Sequence, residues 1–255
     1  MRRFSANLGF LWTDRSLPEA IRAAKQAGFD AVECHWPYDE DRTAVVAALG
    51  ETKLPMLGLN TRRGDVAAGE NGLSALPGRE AEARAAIDEA LAYAAAIGAR
   101  NVHVMAGRAE GDAAGAVFLD NLAYASNAAK TDGIGILIEP LNAFDAPGYF
   151  LKNTRQACDV IDQLGASNVK LMFDCYHVGR TEGDVAGCLK TVLPYVGHVQ
   201  FASVPDRAAP DQGNLDYAEL FAEIDALGWG QPLGAEYKPG GDTDATLGWM
   251  DNLRS

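Results

Sequence analysis

The chain has 255 residues, 48% of them hydrophobic and 22% charged, with a formal net charge of −13. That length allows one or two domains, and about 250 residues is a common size for a single α/β barrel. The acidic balance argues against a phosphate-backbone binder, which needs a positive face, and no Lys/Arg run supplies one locally.

Residues 4–8 read as a first strand. The run Ser16-Leu17-Pro18-Glu19-Ala20 opens a helix, with Ser16 able to cap it and Pro18 tolerated in its first turn, and Gly28 stops it. A strand over 29–34, a helix over 41–49 and a strand over 54–60 follow. Residues 61–77 then show no periodicity. Long structureless loops in compact domains tend to be functional, so this stretch is expected to cover substrate if it stands on the catalytic face. Beyond it the pattern alternates: helix 79–97, strand 101–105, helix 114–131, strand 135–139, helix 154–164, strand 169–174, helix 183–193, strand 197–202, helix 217–227, strand 233–237, and a last helix from 243.

These make about eight strand–helix units, the number that closes a (β/α)8 barrel. The strands are mostly apolar runs, as expected for parallel strands covered by helices. No composition shift or linker marks a second domain, so residues 1–255 read as one TIM-barrel domain of the α/β class. A doubly wound sheet is the alternative, but its GxGxxG fingerprint is absent: Gly133-Ile134-Gly135 precedes a strand instead of following one. No stretch reaches the ~18 apolar residues of a membrane span, and the apolar run after Met1-Arg2-Arg3 is broken by Asn7 and Asp14, too short for a signal segment. Cys34, Cys158, Cys175 and Cys188 form no CxxC pair and read as reduced thiols of a cytoplasmic protein.

Four polar residues close apolar strand runs five to eight: Glu139, Asp174, Gln200 and Glu236. A core strand has no structural need for an acid there. In a parallel barrel the active site lies at the C-terminal strand ends, and neighbouring strands are about 4.8 Å apart, so these side chains converge on one rim. An all-oxygen set suits a hard divalent cation, Mg²⁺ or Mn²⁺, better than a thiolate or multi-histidine zinc site. Helix capping or pairing with Arg or Lys would explain any one of them, but less readily four in register. His177, three residues beyond Asp174, is placed on a loop above the cation, within reach of a substrate hydroxyl. Arg207, after strand seven, is either a substrate-binding cation or a solvated loop residue. Glu33 closes strand two, either at the site or in an ion pair that supports the rim. His103 reads as core or pocket floor, His198 as a satisfied core histidine one layer below Gln200, and His35 as pocket wall or surface. Lys238 is a candidate for orienting Glu236. Phe10 and Trp36-Pro37-Tyr38 are candidate apolar walls, and Gly240-Gly241-Asp242 reads as a simple turn before an anion site.

The segments Ile138-Glu139-Pro140-Leu141-Asn142, Asp174-Cys175-Tyr176-His177, Gly197-His198-Val199-Gln200 and Glu236-Tyr237-Lys238-Pro239 resemble the motifs of hydroxypyruvate isomerases, which are xylose isomerase-like TIM barrels. The resemblance runs nearly end to end, from Arg3-Phe4-Ser5-Ala6-Asn7-Leu8 to Gly248-Trp249-Met250-Asp251. It implies that Glu139 and Glu236 are an acid–base pair, that Glu139, Asp174, Gln200 and Glu236 ligate a metal, and that His177 and Arg207 contact substrate. The implied reaction converts hydroxypyruvate to tartronate semialdehyde; isomerases of 2-oxo-tetronates share most of these motifs. Ser203 and Asn214 depart from the family pattern, which has acids there, so substrate recognition or loop anchoring is where this chain is expected to differ.

The chemistry of the rim agrees with that reading. Moving a proton between adjacent carbons of an α-hydroxycarbonyl needs one carboxylate to remove it and another to return it. A ketose 3-epimerase would use the same pair. A nuclease of the endonuclease IV type would need a histidine-rich rim and a cationic groove, against four histidines in all and a charge of −13. A non-catalytic ligand-binding barrel is the remaining class. The expected partner is a small keto or hydroxy acid, with no nucleic acid and no membrane; a homo-oligomer is compatible with the sequence.

Overall fold

Strands and helices alternate in the computed structural model, which describes residues 1–254. In chain order they are β1 (Phe4–Asn7), α1 (Leu17–Gln26), β2 (Ala31–Glu33), α2 (Arg42–Thr52), β3 (Gly58–Asn60), α3 (Glu80–Ile97), β4 (Asn101–His103), α4 (Gly111–Ala129), β5 (Gly135–Ile138), α5 (Thr154–Leu164), β6 (Val169–Asp174), α6 (Cys175–Thr181), α7 (Val185–Val192), β7 (Val196–Phe201), α8 (Tyr217–Ala226), β8 (Leu233–Ala235) and α9 (Trp249–Leu253). The eight strands are parallel and neighbours in the order β2-β1-β8-β7-β6-β5-β4-β3. The bridge between Val32 and Met56 joins the two ends into a barrel.

Local chemistry sets the boundaries. Residues 54–60 do not form one strand, because Pro55 has no N–H to give to a ladder and Lys53 turns in the left-handed region at φ +59°. Only Gly58–Asn60 remains regular. Asp41, Asn153 and Asp216 cap α2, α5 and α8 by accepting first-turn N–H groups. The helix expected from 243 is a 3-10 turn at Asp244–Thr246 followed by the short α9. Helix α6 is the element the sequence pattern hides. Tyr176, His177, Val178 and Gly179 are weak helix formers, yet Asp174 ends β6 and caps α6 at once, accepting the Tyr176 N–H at 2.8 Å.

Outside β1, β7 and β8 lies an aromatic cluster beneath α8 and α9. Phe4 meets Trp249 edge-on at 5.0 Å, and Phe201 meets Phe221 at the same distance. Such pairs add stability beyond their buried area and anchor the strands that carry Gln200 and Glu236. The 61–77 segment is less free than its composition predicts. Ser74 and Ala75 donate backbone hydrogen bonds to Met105 and Ala106, so the second half is stitched to the chain leaving β4. Residues 64–68 form its exposed tip. All four cysteines are free. Among the described residues no helix is long and apolar enough to cross a membrane.

Candidate active site

Glu139 follows β5, Asp174 ends β6, Gln200 lies near the end of β7, and Glu236 follows β8. Asp174 and Gln200 are register partners. All four are buried, as are Glu33, His103, His177 and His198. Arg207 stands among the acids: its Nη2 donates to Glu236 Oε2 and lies 3.5 Å from Asp174 Oδ2. Its guanidinium is held between the rings of Phe10 at 4.7 Å and Tyr176 at 5.0 Å, so it is no solvated loop cation. Arg207 has a left-handed φ of +55°, unusual for a side chain of this size. Its turn is held by the Lys238 N–H, which donates to the Arg207 carbonyl at 2.7 Å.

The two glutamates meet different surroundings. Glu236 Oε1 accepts from Asn7 Nδ2 at 2.8 Å and lies 3.0 Å from His35 Nε2. His35 can reach it only because residue 9 is glycine: a Cβ on Gly9 would stand 2.1 Å from His35 Nδ1. Burial would raise Glu236, but the Arg207 guanidinium and His35 hold it down to about 2. Burial pushes Glu139 well above the usual carboxylate range, and the charges of Glu236 and Asp174 push it further. Asp174 is raised by burial to about 7 against the pull of Arg207. One rim therefore carries two glutamates whose proton affinities are shifted in opposite directions.

His177 lies in α6, not on a loop. Its Nδ1 accepts the backbone N–H of Asn142 at 3.0 Å and faces Asn142 Nδ2 at 2.7 Å. Burial, helped by Arg207, lowers its pKa to about 3. The ring is thus neutral with its proton on Nε2, the nitrogen that faces Asp174 Oδ2 at 3.6 Å and Glu139 Oε1 at 3.9 Å. Glu139, Asp174 and His177 offer atoms within 4.8 Å of one another, a grouping able to hold a metal ion. A protonated Nε2 does not ligate, however, so His177 faces this cluster as a hydrogen-bond donor. The acceptors open to a cation are oxygens: Glu139 Oε1 and Gln200 Oε1 are buried with no hydrogen-bond partner, and Asp174 Oδ2 has only long contacts, to Arg207 and to His177 Nε2. Unpartnered buried acceptors are costly, and an oxygen set of this kind fits a hard cation.

His103 is buried with both ring nitrogens unpartnered, 3.6 Å from Glu139 Oε2, and burial lowers it to about 3. His198 is a hydrogen-bonded core histidine, 3.0 Å from Glu33. Glu33 lies in the barrel floor, bonded to Ser5 and Gln200. Lys238 does not orient Glu236. Its side chain is exposed, because β8 ends at Ala235 and the alternation that would align 236 with 238 ends there. Trp36 bonds the Thr61 carbonyl at 3.0 Å and lies beside His35 at the edge of the site; Tyr38 packs on Tyr93 away from it. Gly240-Gly241-Asp242 is a turn in which Asp242 accepts the Asp244 N–H. Asn7 and Asn142 are site residues that the sequence pattern does not single out, and His35, readable there as pocket wall or surface, lies against Glu236. Asn7 ends β1 as Glu139 and Glu236 end their runs, a signal overshadowed by the charged residues; Asn142 carried none apart from its closeness to Glu139.

A family model for xylose isomerase-like TIM barrels matches residues 21–253. A 2-oxo-tetronate isomerase of Cupriavidus necator is 44% identical over 98% of each chain. A hydroxypyruvate isomerase of Escherichia coli is 38% identical over 100% of both. Among solved structures, one from Brucella melitensis described as an AP endonuclease of family 2 superposes with a TM-score of 0.95, at 38% identity and full coverage of both chains. The chain belongs to the xylose isomerase-like TIM-barrel family, in the group of hydroxypyruvate and 2-oxo-tetronate isomerases.

Proposed function

We propose that this protein isomerises a small 3-hydroxy-2-oxo acid, moving the carbonyl by one carbon through an enediolate. Hydroxypyruvate and tartronate semialdehyde are the simplest such pair. The observation that carries the reading is a pair of buried carboxylates on one rim with unlike partners: Asn7, His35 and Arg207 bind Glu236, while Glu139 Oε1 has no hydrogen-bond partner. Glu236 is the ionised member and takes the proton from C3 of hydroxypyruvate. Glu139, whose proton affinity burial raises, delivers a proton to C2, the former carbonyl carbon. The hydroxyl proton moves from O3 to O2, so the atoms balance. His177 directs its Nε2–H at the substrate oxygens, and Arg207 pairs with the substrate carboxylate. Phe10 and Tyr176 limit water around that ion pair. Glu139, Asp174, Gln200 and Glu236 would hold a divalent cation, Mg²⁺ or Mn²⁺, which supplies positive charge to polarise the carbonyl.

A 2-oxo-tetronate is the second reading, favoured by the 44% identity to an isomerase of that name. It carries the same reacting carbons with one more hydroxymethyl carbon. The net charge of −13 and the carboxylate-lined rim count against a nucleic-acid substrate. Four free cysteines fit a reducing, cytoplasmic setting.

The test is proton exchange. The protein, loaded with Mg²⁺ or Mn²⁺, is incubated with hydroxypyruvate or 2-oxo-tetronate in deuterated water and followed by NMR. Loss of the carbon-bound proton with appearance of the isomer is expected, faster for the true substrate. Neither exchange nor isomer with either compound removes the proposal.

A further inference from the structure

Glu33 is a buried carboxylate that proton transfer leaves without a task. It closes β2 with 4% of its surface exposed. Its Oε1 accepts from Ser5 Oγ at 2.7 Å. Its Oε2 accepts from Gln200 Nε2 at 2.7 Å and lies 3.0 Å from His198 Nε2. Space for it is cut by Gly234, where a Cβ would come within 2.4 Å of Glu33 Oε1 and 2.9 Å of both Gln200 Cγ and His198 Nε2. A buried carboxylate costs several kcal/mol unless fully bonded, and apolar side chains would fill a barrel floor more cheaply.

The consequence falls on Gln200. A carboxylate only accepts hydrogen bonds, so the amide must turn its NH2 to Glu33. Its oxygen then lies at the other end of the amide, pointing away from the Glu33 oxygen that takes the NH2, where it is buried and has no partner. The two ends of an amide have nearly the same shape, and only the hydrogen-bond network tells them apart. Without Glu33 nothing holds this one, and the flipped form would present N–H groups to a cation. We infer that Glu33 is a positioning residue: it fixes the Gln200 amide so that the divalent cation meets an oxygen. This inference rests on the reading of Gln200 as a cation ligand.

Calorimetric titration of the metal-free protein with Mn²⁺ tests it. E33Q puts an amide with two possible orientations opposite Gln200. Loss of a supporting partner of this kind typically weakens metal binding by about tenfold or more, and that loss is expected here. Q200E supplies the control, because a carboxylate has no wrong way round. In the Q200E background, E33Q is expected to leave Mn²⁺ affinity unchanged or to raise it, since two facing carboxylates no longer repel. A purely structural role for Glu33 would weaken both backgrounds alike and would overturn the inference, as would unchanged affinity in E33Q alone. If E33Q does not fold, E33D draws the oxygens back by one methylene while keeping the charge, and the same loss is expected. Wild-type protein that takes up no Mn²⁺ would instead sink the metal reading itself. Wild-type binding that Q200A leaves intact would remove Gln200 from the ligands, and the inference with it.

Discussion

Glu236 and Glu139 face each other across the barrel mouth as the same residue type with opposite proton affinities. Around Glu236 the rim is crowded with partners: Asn7, His35 and Arg207. Around Glu139 it is nearly bare, with His177 Nε2 at 3.9 Å and His103 at 3.6 Å, beyond hydrogen-bond reach. Burial is equal, at 5% and 6% exposure, so it cannot make the difference. What separates them is one guanidinium and its neighbours. A barrel that repeats one unit around its axis becomes a two-role site by loading a cation on one side.

The sharpest way to break that contrast is to neutralise each acid in turn. E139Q and E236Q are each expected to lower kcat by about 10³-fold, within the range for a lost general acid or base. Their metal-free stabilities should diverge. Glu139 is buried with an unpartnered Oε1 and beside two other acids, so E139Q leaves the melting temperature unchanged or raises it. E236Q strands Arg207 with only a long contact to Asp174, and the melting temperature should fall. Equal thermal responses in scanning calorimetry would mean that the two sides are not electrostatically distinct.

R207Q attacks the cause of the contrast. Loss of a charge-bearing donor of this type typically costs about 10²-fold in kcat/KM, and a loss of that size is expected with hydroxypyruvate or 2-oxo-tetronate. KM should rise because Arg207 meets the substrate carboxylate, and kcat should fall because Glu236 loses the charge that keeps its proton affinity low. Full activity in R207Q would leave the guanidinium as a structural counter-ion only.

A smaller effect follows from Asp174. Its folded pKa of about 7 lies above its ordinary value of 3.8. A group raised on folding contributes stability that is present below its unfolded pKa and lost as pH rises through the folded one. Glu139, also raised, acts in the same direction. Glu236 acts oppositely, but its contribution is lost only as pH falls toward about 2. The metal-free protein should therefore melt at lower temperature at pH 8 than at pH 5. Mn²⁺ should raise the melting temperature more at pH 8, where it no longer competes with protons for these oxygens. A metal shift that is the same at both pH values would separate the raised carboxyls from the cation site.

Much of this arrangement was legible in the sequence because strand ends are legible. Apolar runs closing on Glu139, Asp174, Gln200 and Glu236 fix both the barrel phase and the direction of the side chains. The partners that tune those acids were not legible. His35 reaches Glu236 from the loop after β2, 201 residues away in sequence, and only the space over Gly9 makes that possible. Arg207 could be placed on its loop but not between two rings, since no periodicity governs a loop. Helix α6 was invisible because its residues disfavour helix and only the cap on Asp174, itself a site residue, starts it.

Ser203 shows how such a loop residue can matter without touching the reaction. It stands where relatives were expected to carry an acid, yet it is buried, and its Oγ accepts the Ala208 N–H at 2.9 Å. Its backbone carbonyl takes the Arg207 N–H, also at 2.9 Å, and its N–H bonds the Ala208 carbonyl. The turn that holds Arg207 in the left-handed region is thus closed on Ser203 from three sides, whereas the Asn214 side chain is exposed. S203A would leave the Ala208 N–H without its acceptor, a loss of about 1 kcal/mol. Because the strain of the left-handed Arg207 is held by this turn, the loss should loosen the guanidinium before it loosens the barrel. A rise in KM of roughly fivefold, the equivalent of that energy, is expected with kcat and melting temperature little changed. A fall in melting temperature with KM unmoved would show instead that Ser203 serves the fold and not the placement of Arg207.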